Sequence, residues 1–117
     1  MKTVAVWSVK GGVGKTAAAV NLAHAAAVSG RRTLLWDLDP QSAASFYLRV
    51  APHLAGGTDA VVRSKGELTD HAVPTEFSNL WLVPADFELR HLDLALDDAK
   101  KPRGRVRRRL EPLAGRF

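Results

Sequence analysis

The run Lys10-Gly11-Gly12-Val13-Gly14-Lys15-Thr16 combines three glycines, two lysines and a hydroxyl. Glycine has no Cβ and accepts positive φ, so a backbone built from it can close around an anion. The preceding segment Lys2–Val9 gathers Val4, Ala5, Val6, Trp7 and Val9 and predicts a buried strand, while the alanine-rich run Ala17–Val28 predicts a helix. Strand, glycine loop and helix in that order are the setting of a phosphate-binding loop. There the amides of residues 12–16 point inward at a helix N-terminus, where the dipole favours negative charge. Lys15 is then expected to reach the outer phosphates as a point charge, and the Thr16 hydroxyl to ligate Mg²⁺. A glycine turn feeding a helix with two surface lysines is the plainer alternative.

A second cluster, Asp37-Leu38-Asp39-Pro40-Gln41, closes the apolar run Thr33-Leu34-Leu35-Trp36, which reads as a short buried strand that Pro40 cannot extend. Carboxylates at i and i+2 leave a strand on one face. Beside a phosphate chain and a cation, such a pair can do two different jobs. A strand ending in an acidic turn is again the alternative.

The ordinary pattern G-x-x-x-x-G-K-T needs glycine at position 9, where this chain has Val9, and Lys10 opens the motif instead. The variant K-G-G-x-G-K-T resembles the deviant P-loop of the ParA/MinD superfamily, ATPases that partition plasmids and chromosomes or position division sites. Asn21-Leu22-Ala23, Gln41 and Asn79-Leu80-Trp81-Leu82-Val83-Pro84-Ala85 extend the resemblance along nearly the whole chain. It implies ATP and Mg²⁺ as ligands, with Gly11, Gly12, Val13, Gly14, Lys15, Thr16 and Ala17 around the nucleotide. Thr16 and Asp37 serve the metal, Asp37 through a water. Asp39 orients the attacking water or accepts its proton, and Lys10 reaches across a nucleotide-sandwich homodimer to the partner's ATP. Lys10, Lys15 and Asp39 are thus the implied catalytic set. Ala17 replaces a usual hydroxyl near the inner phosphates, and Ser42 stands where glycine is common.

The chain's 117 residues suit one small domain, and 46% apolar with 25% charged residues is a globular composition. No apolar stretch is long enough to span a membrane. The first strand is expected to begin at the N-terminus, which would leave no room for a signal peptide. There is no cysteine, which excludes disulfides, thiolate metal sites and the cluster of the nitrogenase iron protein. A cytoplasmic location is the default expectation, and nucleoid association follows only from the DNA reading below. His24, His53, His71 and His91 show no ligand spacing.

Strand–helix alternation over strand 2–8, helix 15–29, strand 32–38, helix 42–49 and a strand near 80–84 predicts an α/β fold, a P-loop NTPase-like parallel sheet flanked by helices. A loop near 51–58, an amphipathic segment near 58–73 and helical residues near 87–98 and 104–115 complete the reading. Family members are longer and carry a further aspartate-bearing strand between the P-loop strand and the Thr33–Asp37 strand. Residues 1–117 are therefore expected to be the N-terminal part of such a domain, with an incomplete sheet, exposed apolar edges and a tendency to associate.

Residues 100–117 hold eight Lys/Arg against Glu111 alone, a local charge of +7 within a total of +5. Val106, Leu110, Leu113 and Phe117 recur there at helical spacing. A packing helix with a solvated basic face, nonspecific DNA binding and contact with anionic lipid all share this pattern. The resemblance favours DNA over membrane and implies a ParB-like adaptor. The functional expectation is ATP-dependent partition of plasmid or chromosome. Its rivals are a catalytically deficient nucleotide- or DNA-binding remnant and a MinD-like membrane-cycling ATPase. Amidotransferase-like relatives share the loop, but no residue pattern marks a small-molecule pocket.

Overall fold

A computed structural model of the chain describes residues 1–54, 56, 57, 67–97 and 104–117. Most of the amphipathic segment expected near 58–73, and Lys100, Lys101 and Arg103 of the basic run, lie outside the described residues.

Helix α1 spans Lys15–Val28. Its alanines suit a helix interior, and Gly30 ends it in the left-handed region at φ 84°. The Gly30 and Arg31 amides donate to Ala27 and Ala26 carbonyls at 2.9 and 3.2 Å, closing the last turn. Strand β1 (Thr33–Trp36) and helix α2 (Ala43–Tyr47) follow. A 3₁₀ turn (Leu68–His71), strand β2 (Val73–Pro74) and strand β3 (Leu80–Val83) come next. The chain continues through a 3₁₀ turn (Phe87–His91), helix α3 (Leu92–Asp97), helix α4 (Arg105–Leu110) and a 3₁₀ turn (Glu111–Leu113).

The sheet order is β1-β3-β2. β1 and β3 run parallel, with Thr33 opposite Leu80 and Trp36 opposite Val83. β2 is antiparallel to β3, so the sheet is mixed rather than the wholly parallel one expected. Its two residues sit at an edge, where Pro74 need not supply a ladder N–H.

Side-chain alternation divides the core between the two faces of the sheet. Leu35, Leu80 and Leu82 pack with Ala23, Ala27 and Leu48 on one face. Leu34, Trp36, Val83 and Ala85 pack with Leu54, Leu68, Leu89 and Leu113 on the other. The small Ala23 and Ala27 let α1 lie close to the strands. Leu110 and Phe117 join the second cluster, so the apolar stripe of the C-terminal segment is a packing face.

Two expectations are corrected. Residues 2–8 form no strand, and Val4, Trp7 and Val9 are 76, 79 and 86% exposed. A parallel strand exists only through hydrogen bonds to a neighbour. β1 ends the sheet on that side among the described residues, and no strand bridges it to residues 2–8. Arg109, expected on the solvated basic face, is buried. Burial lowers its pKa, and the charge of Asp70 opposes that shift.

Candidate functional site

Between residue 8 and α1 the chain makes bends and a turn rather than regular structure. Gly12 and Gly14 take φ of 70° and 88°, a region where any other residue except asparagine or aspartate is strained. Space around both is open, with no heavy atom within 4 Å of where a Cβ would stand. Gly14 immediately precedes α1, and no side chain caps the helix. The first intrahelical bond runs from Ala18 N–H to the Gly14 carbonyl at 2.9 Å. The amides of Lys15, Thr16 and Ala17 therefore have no acceptor within the helix. Together with the dipole of a 14-residue helix, they make an anion-binding end.

The loop's side chains brace it. Lys15 Nζ donates to the Lys10 carbonyl at 3.3 Å, and the Lys10 amide donates to Ser8 Oγ at 3.2 Å. Lys10, Gly11, Val13 and Ala17 are exposed, whereas Lys15 and Thr16 are half-buried.

The acidic pair begins where β1 ends. Asp37 N–H donates to the Val83 carbonyl at 3.0 Å, carrying the ladder one residue past the strand. Its side chain is buried, with Oδ1 accepting the Asp39 amide at 3.0 Å. Oδ2 is buried without a hydrogen-bond partner. Burial raises the Asp37 pKa above the ordinary 3.8, and the charge of Asp39 adds to it. The amides of Asp39, Ser45 and Ala44 pull the other way. Asp39 is half-buried, and its Oδ1 accepts the Gln41 amide at 2.9 Å. Two side-chain-to-backbone turns in succession thus swing the chain from β1 into α2.

Because α1 packs along β1 and only residues 29–32 join them, the two elements run antiparallel. The glycine-loop end of α1 and the Asp37 end of β1 consequently lie at the same end of the fold. Asp37 Oδ2, an unmatched buried carboxylate oxygen, and the Thr16 hydroxyl are hard oxygen donors that suit Mg²⁺. No trio of His, Cys, Asp or Glu gathers among the described residues. Mg²⁺ fits that composition, since it commonly uses one or two carboxylates with phosphate oxygens and waters.

Two features escaped the sequence reading. Ser42 takes φ 55°, which explains why glycine is favoured at that position in the resembling family. Ser45 is fully buried with an unpaired hydroxyl. Nothing in the run Ala43-Ala44-Ser45-Phe46-Tyr47 distinguishes it from an ordinary helix.

Residues 1–117 match the family AAA_31, described as an AAA domain. The chromosome partitioning protein ParA of Caulobacter vibrioides is 35% identical over 114 residues, covering 97% of this chain and 43% of ParA. The chain belongs to the ParA/MinD-type P-loop ATPases. Solved structures share the fold of this chain. Cobyrinic acid a,c-diamide synthase from Mycobacterium smegmatis, with bound ADP and magnesium, aligns with a TM-score of 0.85 and 31% identity. That alignment covers 95% of this chain and 45% of the synthase. The Cyanothece McdA complex with ATP gives a TM-score of 0.84 and 27% identity, over 95% of this chain and 43% of McdA. The ParA/MinD-type chain thus spans less than half the length of these relatives.

Proposed function

We propose that residues 1–117 form the nucleotide-binding part of a partition ATPase that binds ATP with Mg²⁺ and hydrolyses it to ADP and phosphate. The observation that carries this reading is the glycine loop, left-handed at Gly12 and Gly14, leading into the uncapped start of α1. The ParA relative and the nucleotide-bound neighbours support it.

In this reading Gly11, Gly12, Val13, Gly14 and Ala17 surround the phosphates with their backbone. Lys15 leaves the Lys10 carbonyl to meet the outer phosphates. Thr16 would ligate the cation directly and Asp37 would hold it through a water; when bound, the cation would supply charge neutralisation to the phosphate chain. Asp39 orients the attacking water or accepts its proton, and Lys10 joins the site of a second copy in an ATP-dependent homodimer. Phosphoryl transfer depends on such placement and charge stabilisation more than on covalent chemistry. Hydrolysis then times the release of the dimer.

The same reading places the protein in the cytoplasm, with nonspecific DNA and a ParB-like adaptor as partners. A membrane role is disfavoured, because Leu110, Leu113 and Phe117 already pack on the core. Among the described residues no helix is long and apolar enough to cross a membrane.

A second reading, nucleotide binding without turnover, is favoured by one observation. Residues 2–8, which lead into the loop, have no strand partner among the described residues to brace them. Phosphate release and solution mass, measured with ATP and with ADP, separate the two. Turnover with an ATP-specific dimer supports the first reading. Nucleotide binding with neither turnover nor dimer supports the second, and absence of nucleotide binding contradicts both.

A further inference from the structure

Beside the acid at the end of β1 lies a second unmatched polar group. Ser45 is 0% exposed and its hydroxyl has no hydrogen-bond partner, while Asp37 is 6% exposed with Oδ2 equally unmatched. The Ser45 amide is among the backbone groups facing the Asp37 carboxylate, so the hydroxyl and the carboxylate belong to one neighbourhood. Burying a polar group without a partner opposes folding, and alanine would avoid that cost at position 45 as it does at 43 and 44. What satisfies both groups must donate to a carboxylate oxygen and also bond a hydroxyl. A cation-bound water does both. An anion is repelled by Asp37, and an apolar group satisfies neither.

We propose that Ser45 is a positioning residue of the nucleotide site, its hydroxyl and Asp37 Oδ2 together holding the hydration shell of the divalent cation that accompanies the nucleotide. This rests on the function proposed above and deepens it. Ser45 acts through Asp37 and water rather than by touching the phosphates.

The test compares ADP affinity of the 117-residue chain in Mg²⁺ and in EDTA, for the unsubstituted protein and Ser45→Ala. Ser45→Ala is expected to keep the EDTA affinity within about twofold and to lose roughly five- to tenfold of the Mg²⁺-supported affinity, the scale of one hydrogen bond. Equal gain from Mg²⁺ in both proteins overturns the role of Ser45 and leaves the nucleotide site standing. No gain from Mg²⁺ in the unsubstituted protein overturns both. Thermal unfolding without nucleotide supplies an independent reading. Ser45→Ala should melt at or above the parent temperature, because it removes an unpaired buried hydroxyl. A loss of several degrees would assign the hydroxyl to the fold and overturn the proposal.

Discussion

Lys15 Nζ donates to the Lys10 carbonyl at 3.3 Å, so the two lysines of the loop are joined side chain to backbone while the Lys10 side chain stays exposed. Only the Lys10 backbone serves the loop, its carbonyl accepting from Lys15 and its amide donating to Ser8 Oγ, which separates the roles of the two residues. Lys10→Ala is expected to leave ATP affinity within about threefold, since the backbone contact survives. It should abolish ATP-dependent dimerisation, read by sedimentation-equilibrium mass with ATP and with ADP.

Asp37 gives a prediction in which stability and binding move in opposite directions. Its folded-state pKa is raised, chiefly by burial, so the native state binds more protons than the unfolded chain above pH 3.8. Stability from this group is present below that value and is lost as pH rises through the folded-state pKa. At neutral pH Asp37→Asn should therefore stabilise the nucleotide-free protein by about 1 kcal/mol, and the gain should vanish in acid. The same substitution should remove the Mg²⁺ dependence of nucleotide binding. Urea unfolding at pH 4 and pH 7 checks the first part.

Asp86 behaves in the opposite sense. Its Oδ1 accepts the Glu88 amide at 3.0 Å and its Oδ2 accepts the Leu54 amide at 3.3 Å, with His53 Nδ1 3.6 Å away. The Glu88 amide is the main cause of its lowered pKa. This stabilisation is complete above 3.8 and disappears as pH falls through the depressed folded-state value. Asp86→Ala should cost about 1 kcal/mol at pH 7, and less in strong acid, by the same unfolding measurement.

Ser42 holds φ 55° and ψ 31° just before α2. Ser42→Gly should relieve that conformation and raise stability by about 0.5–1 kcal/mol, or roughly 2–5 °C in melting temperature. An unchanged or lower melting temperature would show that α2 entry is not strained.

These positions also mark how far the sequence is legible. Gly14 and Gly30 bracket α1 because each supplies a left-handed residue at a helix end, and both are visible as glycines. β1 and β3 are legible because their residues alternate between two buried faces. The segment at residues 2–8 misleads because apolar content reports what a strand would bury, whereas strand formation depends on a neighbour elsewhere in the chain. Arg109 misleads for a related reason, since charge says nothing about whether Asp70 stands nearby. In the candidate site the glycines, lysines and acids are all legible as types. The unmatched Ser45 hydroxyl is not, because burial of one residue in a five-residue helix has no sequence signal.

The central claim is that uncapped amides and Lys15 at the start of α1 grip a nucleotide's phosphates. Titration of MgATP into the parent protein and Lys15→Ala tests it most directly. The account predicts saturable binding that Lys15→Ala weakens by roughly 10- to 100-fold, as loss of a charge-assisted contact should. Equal affinity in the two proteins, or no binding by the parent, would contradict it.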